Sequence, residues 1–428
     1  MMHETKIAGN ANYNFAAQWL PSGVVFSHGS GSRLWDTQGN EWLDFYCNFG
    51  ANIVGHGNEQ YVSAISRAMM RQSSVVMSDL GEAAAEKICA HVPSMERIRF
   101  AMTGTEVAQT AFRLSRAYTG RRKIMRFTGH YHGHSDNILG GTYDGVHDYP
   151  VILEGDTRAS RGTIADERIN ETLIVPWNDT AVFRDVVSRH HSRIACIIME
   201  PLNMNGGAIH VTGEFLDAVT RACRAYGIVL IFDEIITINR TGIGGMQQVL
   251  GVRPDLTLLG KTLAGGALPV SAIGGREEIM SLLTRREVVQ AGTFNGYHAG
   301  MAAVLAAYEL LEAPGGLERM FRKGHDLRRQ LEQISREEHF PVVAQGCDGC
   351  FCLHPGQQAL TSPAQWTGQM RRQENMMQEK FFRRHVCVAP PLRFYLNTGI
   401  TDEEIGALLD AARSVFREMA ALQPGTTV

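Results

Sequence analysis

The chain has 428 residues, of which 44% are hydrophobic and 20% charged, with a formal net charge of −3. That length predicts a large core in more than one domain, and that composition is wrong for a disordered chain. The near-neutral balance offers no basic field for nucleic acid or anionic lipid, no apolar run is long enough to span a membrane, and eight scattered cysteines do not make a disulfide scaffold.

The chain opens Met1-Met2-His3-Glu4-Thr5-Lys6, without a cationic start and an apolar run behind it, so no secretory leader is read and a cytoplasmic location is expected. A hairpin is predicted from Arg33-Leu-Trp-Asp36, a turn at Thr37-Gln-Gly-Asn40, and Glu41-Trp-Leu-Asp-Phe45. Short β-branched runs then alternate with helical periods, which predicts a mainly parallel sheet wrapped by helices. Strands are expected at Arg97–Met102, Lys123–Phe127, Arg193–Glu200, Ile228–Phe232, Leu256–Leu259 and Ser271–Gly274, with helices from about Glu106 to Tyr118 and from Gly213 to Tyr226. Residues 138–172 are rich in Gly, Asp and Arg and poor in apolar periodicity, as in a long surface excursion. After Gly300 come helices rich in Arg and Glu, a strand pair near Phe340–Leu353, and a last helix from about Thr401 to Ala421. The predicted layout is an α/β fold. A large domain spans residues 56–300, and a smaller α+β domain is built from both chain ends, 1–55 and 301–428.

Two cysteine or histidine clusters invite a metal reading. In Gly346-Cys-Asp-Gly-Cys-Phe-Cys352 no second ligand pair follows at a matching distance, and Cys350 and Cys352 alternate with Phe351 and Leu353 as in a core strand. The run His130-Tyr-His-Gly-His134 has no acidic or cysteine partner nearby. No metal site is predicted for either.

The chemistry-bearing signal is Ile231-Phe-Asp-Glu-Ile235, followed downstream by Leu258-Leu-Gly-Lys-Thr262. Asp233 and Glu234 end a buried strand and Lys261 ends the next, so all emerge at the strand edge where open α/β sheets bind ligands. A plain ion pair is the dull alternative. Glycines at Gly260, Gly265 and Gly266 let a bulky planar group approach the backbone. Thr103-Gly-Thr-Glu106 lies where a strand passes into a helix, which suits either a helix cap or a phosphate cradle.

Taken in order, the hairpin residues Gly39, Trp42 and Asp44, then Thr103-Gly-Thr-Glu106, Tyr118-Thr-Gly-Arg121, Tyr131-His-Gly-His134, Glu200-Pro201, Phe232-Asp-Glu234, Pro254-Asp-Leu256, Gly260-Lys261, Gly265-Gly266 and Gly292-Thr293 carry a family resemblance. Over most of its length the chain resembles the class III (subgroup II) aminotransferases of fold type I, which depend on pyridoxal 5′-phosphate (PLP). It is most similar to the glutamate-1-semialdehyde 2,1-aminomutase branch. The resemblance implies a seven-stranded, mainly parallel sheet and a set of roles. Lys261 holds PLP as a Schiff base and later shuttles a proton, and Asp233 pairs with the pyridine nitrogen. Thr103, Gly104 and Thr105 hold the phosphate, and Tyr131 stacks on the ring, with His132 in the same loop. Asn205 lies beside the phenolic oxygen. Gly292 and Thr293 reach the neighbouring subunit's phosphate, which implies a homodimer.

The departures from the branch fall on substrate contacts. The aminomutases' carboxylate-gripping arginine is missing from Pro21-Ser-Gly-Val-Val-Phe-Ser-His28, Phe49 stands where that branch has a site-facing Trp, and no acid is present in Pro390-Pro-Leu-Arg-Phe-Tyr395. Thr237-Ile-Asn-Arg240 and Phe294-Asn-Gly-Tyr-His298 also differ from the usual pattern. Arg393 is expected to supply a replacement clamp, since a guanidinium binds a carboxylate bidentately; a surface ion pair is the alternative for it. The expected function is transfer of an amino group between an amino-acid donor and a keto or aldehyde acceptor. The alternative is an intramolecular aminomutase acting on a substrate other than glutamate 1-semialdehyde, and racemase or decarboxylase chemistry is a smaller possibility.

Overall fold

The structure, a computed structural model, describes residues 6–7, 24–72, 77–138, 142–143, 147–148, 172–390 and 392–422. The excursion expected at 138–172 therefore lies almost wholly outside the described residues, as does the start of the segment Pro21–His28. The chain divides into two compact units, one of residues 60–313 and 360–366, the other of residues 1–59, 314–359 and 367–428.

The first unit is built on a sheet with seven principal strands: β1 (Arg97–Ala101), β2 (Lys123–Phe127), β3 (Thr172–Val175), β4 (Ile194–Met199), β5 (Val229–Asp233), β6 (Leu256–Leu259) and β7 (Ser271–Gly275). Their order across the sheet is β1-β7-β6-β5-β4-β2-β3, and the two-residue strands Thr142–Tyr143 and His147–Asp148 extend the β3 edge. Strands β2 to β6 pair in parallel, and β7 alone among the seven runs antiparallel, between β6 and β1. Every residue of β4, β5, β6 and β7 is buried, as in strands covered on both faces.

The sequence reading found each of these strands except β3. The helix Gly104–Thr119 lies on the sheet with Val107, Ala108, Ala111, Phe112 and Leu114 buried. These residues join one cluster with Ile198, Ile231, Leu258 and Ile273. The spacing is that of one helix face, and burying each large side chain is worth roughly 1.5–3 kcal/mol. A capping box between Thr103 and Glu106 starts this helix and Gly120, in the left-handed region, ends it.

The second unit holds two small sheets. In one, the strands Phe26–Ser30, Arg33–Asp36 and Glu41–Asp44 meander antiparallel, and Val386–Cys387 joins in parallel. The Asp36 carboxylate accepts from the backbone of Gln38 and Asn40 and from Trp42 Nε1, which closes the hairpin turn. In the other sheet, Val342–Cys347 and Cys350–Pro355 form a hairpin, and Arg393–Tyr395 pairs with its second strand. Cys350 and Cys352 are thus core-strand residues, as the alternation predicted.

Between Asp44 and Asn52 the chain makes a single left-handed turn in which Cys47, Asn48, Phe49 and Gly50 all have positive φ. Each non-glycine residue held that way costs about 1–2 kcal/mol, so other contacts must impose the conformation. Asp44 Oδ1 accepts from the backbone of Tyr46 and Cys47, and Gly50 lies so close to the Tyr395 ring that a Cβ there would sit 2.4 Å from it. The turn presents Phe49 to Arg393, whose guanidinium carbon lies 5.5 Å from the centre of the phenyl ring. The two residues read as substrate contacts, far apart in sequence, therefore meet. Arg393 is 6% exposed and its Nε donates to Pro390 O at 2.6 Å, so the surface position of the alternative reading is not where it lies.

Candidate active site

Because β1, β2, β4, β5 and β6 point the same way, the segments that leave their C-terminal ends gather at one sheet edge. These are residues 102–105, 128–134, 200–205, 233–235 and 260–261. β7 enters at that edge with Ser271, whose Oγ donates to Met102 O at 3.4 Å. An open α/β sheet binds its ligands on this side.

The two adjacent acids at the end of β5 have different work. Glu234 turns into the protein, where its carboxylate accepts from Met246 N at 2.6 Å, Gln247 N at 2.8 Å and Thr237 Oγ1 at 2.6 Å. Asp233 faces the segment after β2, and its Oδ2 lies 2.7 Å from His132 Nδ1. Since a carboxylate only accepts, that contact places the imidazole proton on Nδ1 and leaves Nε2 as a bare acceptor. Burial holds the His132 pKa below its ordinary value, against the opposing pull of Asp233. His132 Nε2 is itself buried without a hydrogen-bond partner among the described residues.

Thr103 is the N-cap of the helix Gly104–Thr119, so the cap reading is correct, and the same geometry leaves the first-turn amides at the sheet edge. A Cβ on Gly104 would lie 2.6 Å from Ile235 Cδ1, two residues past Asp233. Gly133 passes so near that its Cβ would sit 2.6 Å from Thr105 Oγ1, and Thr105 Oγ1 lies 3.2 Å from His134 Nδ1. Cradle, acid and histidine loop thus form one connected constellation. Lys261 follows β6 and adopts φ 45, a left-handed conformation costly for a lysine, where strain is characteristic of functional positions. Gly292 and Thr293 lie instead in an exposed turn before the helix His298–Glu312.

One residue that carried no assigned role ties two others. Glu200, the acid that ends the wholly apolar strand β4, accepts from Tyr131 N at 2.7 Å and from Asn205 Nδ2 at 2.9 Å. Its own backbone N–H donates to His130 Nδ1 at 3.0 Å.

The sequence profile of the class III aminotransferases matches residues 15–392. A glutamate-1-semialdehyde 2,1-aminomutase from Thermomicrobium roseum is 35% identical over 402 residues, covering 93% of this chain and 91% of its own. Among solved structures, an omega-transaminase from Sphaerobacter thermophilus superposes with a TM-score of 0.85 at 30% identity, covering 93% of this chain and 92% of its own. A transaminase with PLP bound gives 0.80 at 27%, with 94% and 92% covered. The chain belongs to the class III aminotransferases.

PLP is the cofactor of class III aminotransferases, and the residues gathered here fit it. Amides and hydroxyls at a helix start suit a phosphate, and a glycine presses the helix start against Ile235. A carboxylate and a lysine end adjacent strands, and a buried imidazole nitrogen stands open. Among the described residues no group of three or more His, Cys, Asp or Glu is placed to hold a metal, and no helix is long and apolar enough to cross a membrane.

Glu200 supplies a pH test of this arrangement. Burial, with the Asp233 charge adding to it, lifts the carboxyl to about 7 from 4.5. The native state therefore favours the protonated form. Stability from this group is fully present below pH 4.5 and is lost as pH rises to 7, by roughly 3 kcal/mol. Denaturant titrations of the cofactor-free protein across that window are expected to show the loss. Glu200→Gln, which has no proton to lose, should flatten that part of the curve.

Proposed function

We propose that this class III aminotransferase moves an amino group between an amino-acid donor and a keto or aldehyde acceptor. When bound, PLP supplies a carbonyl that captures the donor amine and a ring that spreads the charge left on the donor carbon. Lys261 Nζ holds the cofactor covalently and later carries a proton between the donor carbon and the cofactor, a task that suits a primary amine at a buried sheet edge. Asp233, kept in place by His132 and by Ile235 N–H, which donates to its Oδ1 at 3.1 Å, holds the proton on the ring nitrogen. Thr103, Gly104 and Thr105 bind the phosphate at the helix start. Tyr131 and Asn205, both fastened by Glu200, cover the ring and its phenolic oxygen. Gly292 and Thr293 serve the site of a second copy in a homodimer, which gives their exposed turn a purpose.

The connected constellation of Asp233, His132 and the helix start, with Lys261 at the end of the adjacent strand, carries this reading. Transfer rather than mutation is favoured by the substrate-side departures: no arginine in Pro21–His28, Phe49 in place of Trp, and no acid in Pro390–Tyr395. The 30% identity to an omega-transaminase agrees. The second reading, an aminomutase with a different substrate, is supported by the naming of the Thermomicrobium roseum relative. Mixing holoprotein with candidate amino donors separates them. Bleaching of the visible cofactor band with one equivalent of keto product means transfer, and a product isomeric with its substrate means mutation.

Arg393, resting on Phe49, is assigned the donor carboxylate. A charge-assisted bidentate contact is worth about 1.5–3 kcal/mol, so Arg393→Ala should raise the donor KM by roughly 10- to 150-fold with kcat nearly unchanged. Steady-state kinetics with a carboxylate donor and with a simple amine check it. An unchanged KM for the carboxylate donor removes Arg393 from the site.

A further inference from the structure

The hairpin Val342–Pro355 is closed by a two-residue turn, Asp348-Gly349, and its last strand pair sets Cys347 directly opposite Cys350. The two sulfurs lie 3.5 Å apart. A disulfide needs about 2.05 Å between sulfurs, so these directly opposed cysteines have a short distance to close. The turn is held from outside. Arg328 of the helix Leu317–Glu337 donates to Asp348 Oδ1 at 2.8 Å and to Ala344 O. Gly324 of the same helix lies flat against the turn, where any Cβ would meet Asp348 O.

The accessibilities differ in a useful way. Cys347 is partly exposed and Cys350 is fully buried. Of the other six cysteines only Cys89 is also partly exposed, and burial raises its pKa and so slows its attack.

We propose that Cys347 and Cys350 are a site of reversible oxidation, closed into an intrachain disulfide by a low-molecular-weight disulfide such as oxidised glutathione. Cys347 loses its proton and attacks one sulfur of the small disulfide, forming a mixed disulfide and releasing one small thiol. Cys350 then gives up its proton and attacks the Cys347 sulfur, and the second small thiol leaves. Two protein thiols are oxidised and one small disulfide is reduced, with two electrons and two protons passed on. The ring so formed spans only four residues, and stabilisation by cross-linking grows with loop length. This bridge is therefore a labile one rather than a staple. It lies on the sheet that carries Arg393, because Cys350 pairs with Tyr395 and Cys352 with Arg393.

The test equilibrates the full-length holoprotein in buffers of increasing oxidised-to-reduced glutathione ratio, alkylates the remaining thiols and maps the peptides by mass. The expected first product has lost two of the eight thiols, with Cys347 joined to Cys350, and a dithiol reductant restores all eight. In Cys350→Ser the reaction should stop at the mixed disulfide on Cys347, at several-fold higher occupancy than on Cys89. The proposal is overturned if the native protein keeps all eight thiols in buffers that fully oxidise these two cysteines in the denatured chain, or if Cys89 is modified before Cys347. Should Cys350→Ser fail to fold, the wild-type peptide map decides alone.

Discussion

Lys261→Ala is expected to lower amino-group transfer by at least about 10⁴-fold while leaving the protein folded. The residue has two tasks in the proposed reaction, holding the cofactor and moving the proton, and alanine does neither. Its left-handed backbone, φ 45, disfavours alanine and lysine alike, so the exchange adds little strain. The variant should bind PLP more weakly and without the visible band of a covalently held cofactor. A small primary amine added to the assay should restore part of the rate, because what Nζ contributes is a primary amine at that place. A rate within tenfold of the native enzyme, with an unaltered spectrum, would mean that Lys261 is only the strand-end ion pair of the dull reading.

Asp233→Asn tests charge apart from shape. The amide oxygen can still accept from Ile235 N–H, and its Nδ2 can donate to His132 Nδ1 once the imidazole proton moves to Nε2, so the pocket should keep its form. What disappears is the negative charge that, in the proposed reaction, would hold a proton on the ring nitrogen. Losing one member of a buried charged pair costs about 2–5 kcal/mol, which is roughly 30- to 5,000-fold in kcat. Because donor recognition is assigned elsewhere, the donor KM should change little. Single-turnover kinetics with excess donor, together with a titration of PLP into the apoprotein, distinguish slow chemistry from weak cofactor binding. Equal loss in KM and kcat would point to a collapsed pocket instead.

Most of the large sheet was legible because its strands are short apolar runs bounded by glycine, proline or acids, a pattern only a strand buried on both faces requires. β3 was missed because the Gly-, Asp- and Arg-rich stretch before it masks its start, so that Thr172 was counted within that excursion. Phe26–Ser30 was missed for the opposite reason, since its residues FSHGS include one large apolar side chain and lie largely open to solvent. Strand direction is not written in residue type, so nothing in Ser271–Gly275 announced that β7 runs against its neighbours.

The site shows the same division. The positions of Asp233 and Lys261 follow from which strands they end. Which of Asp233 and Glu234 faces the histidine loop does not follow from residue type, because adjacent strand-end acids look equivalent until His132 claims one and Met246 and Gln247 the other. The meeting of Phe49 and Arg393 depends on a left-handed turn that no local propensity favours. Glu200 did leave a signal, an acid closing an otherwise apolar strand, though its two partners come from separate segments.

The insertion of β7 beside β1 makes the completion of this sheet a late step in folding during synthesis. Among the described residues β1 has β7 as its sole neighbour in the sheet, and the whole span from the helix Gly104–Thr119 through β6 must leave the ribosome before that neighbour exists. Pairings this distant in sequence form slowly, and an unpaired strand waiting for its partner is open to wrong association. The Thr103–Thr105 segment joins β1 to the helix Gly104–Thr119, so its β1 end is anchored only once β7 has docked. A chain ending before Ser271 would have β5 and Asp233 and still lack the strand that anchors the start of the Thr103–Thr105 segment.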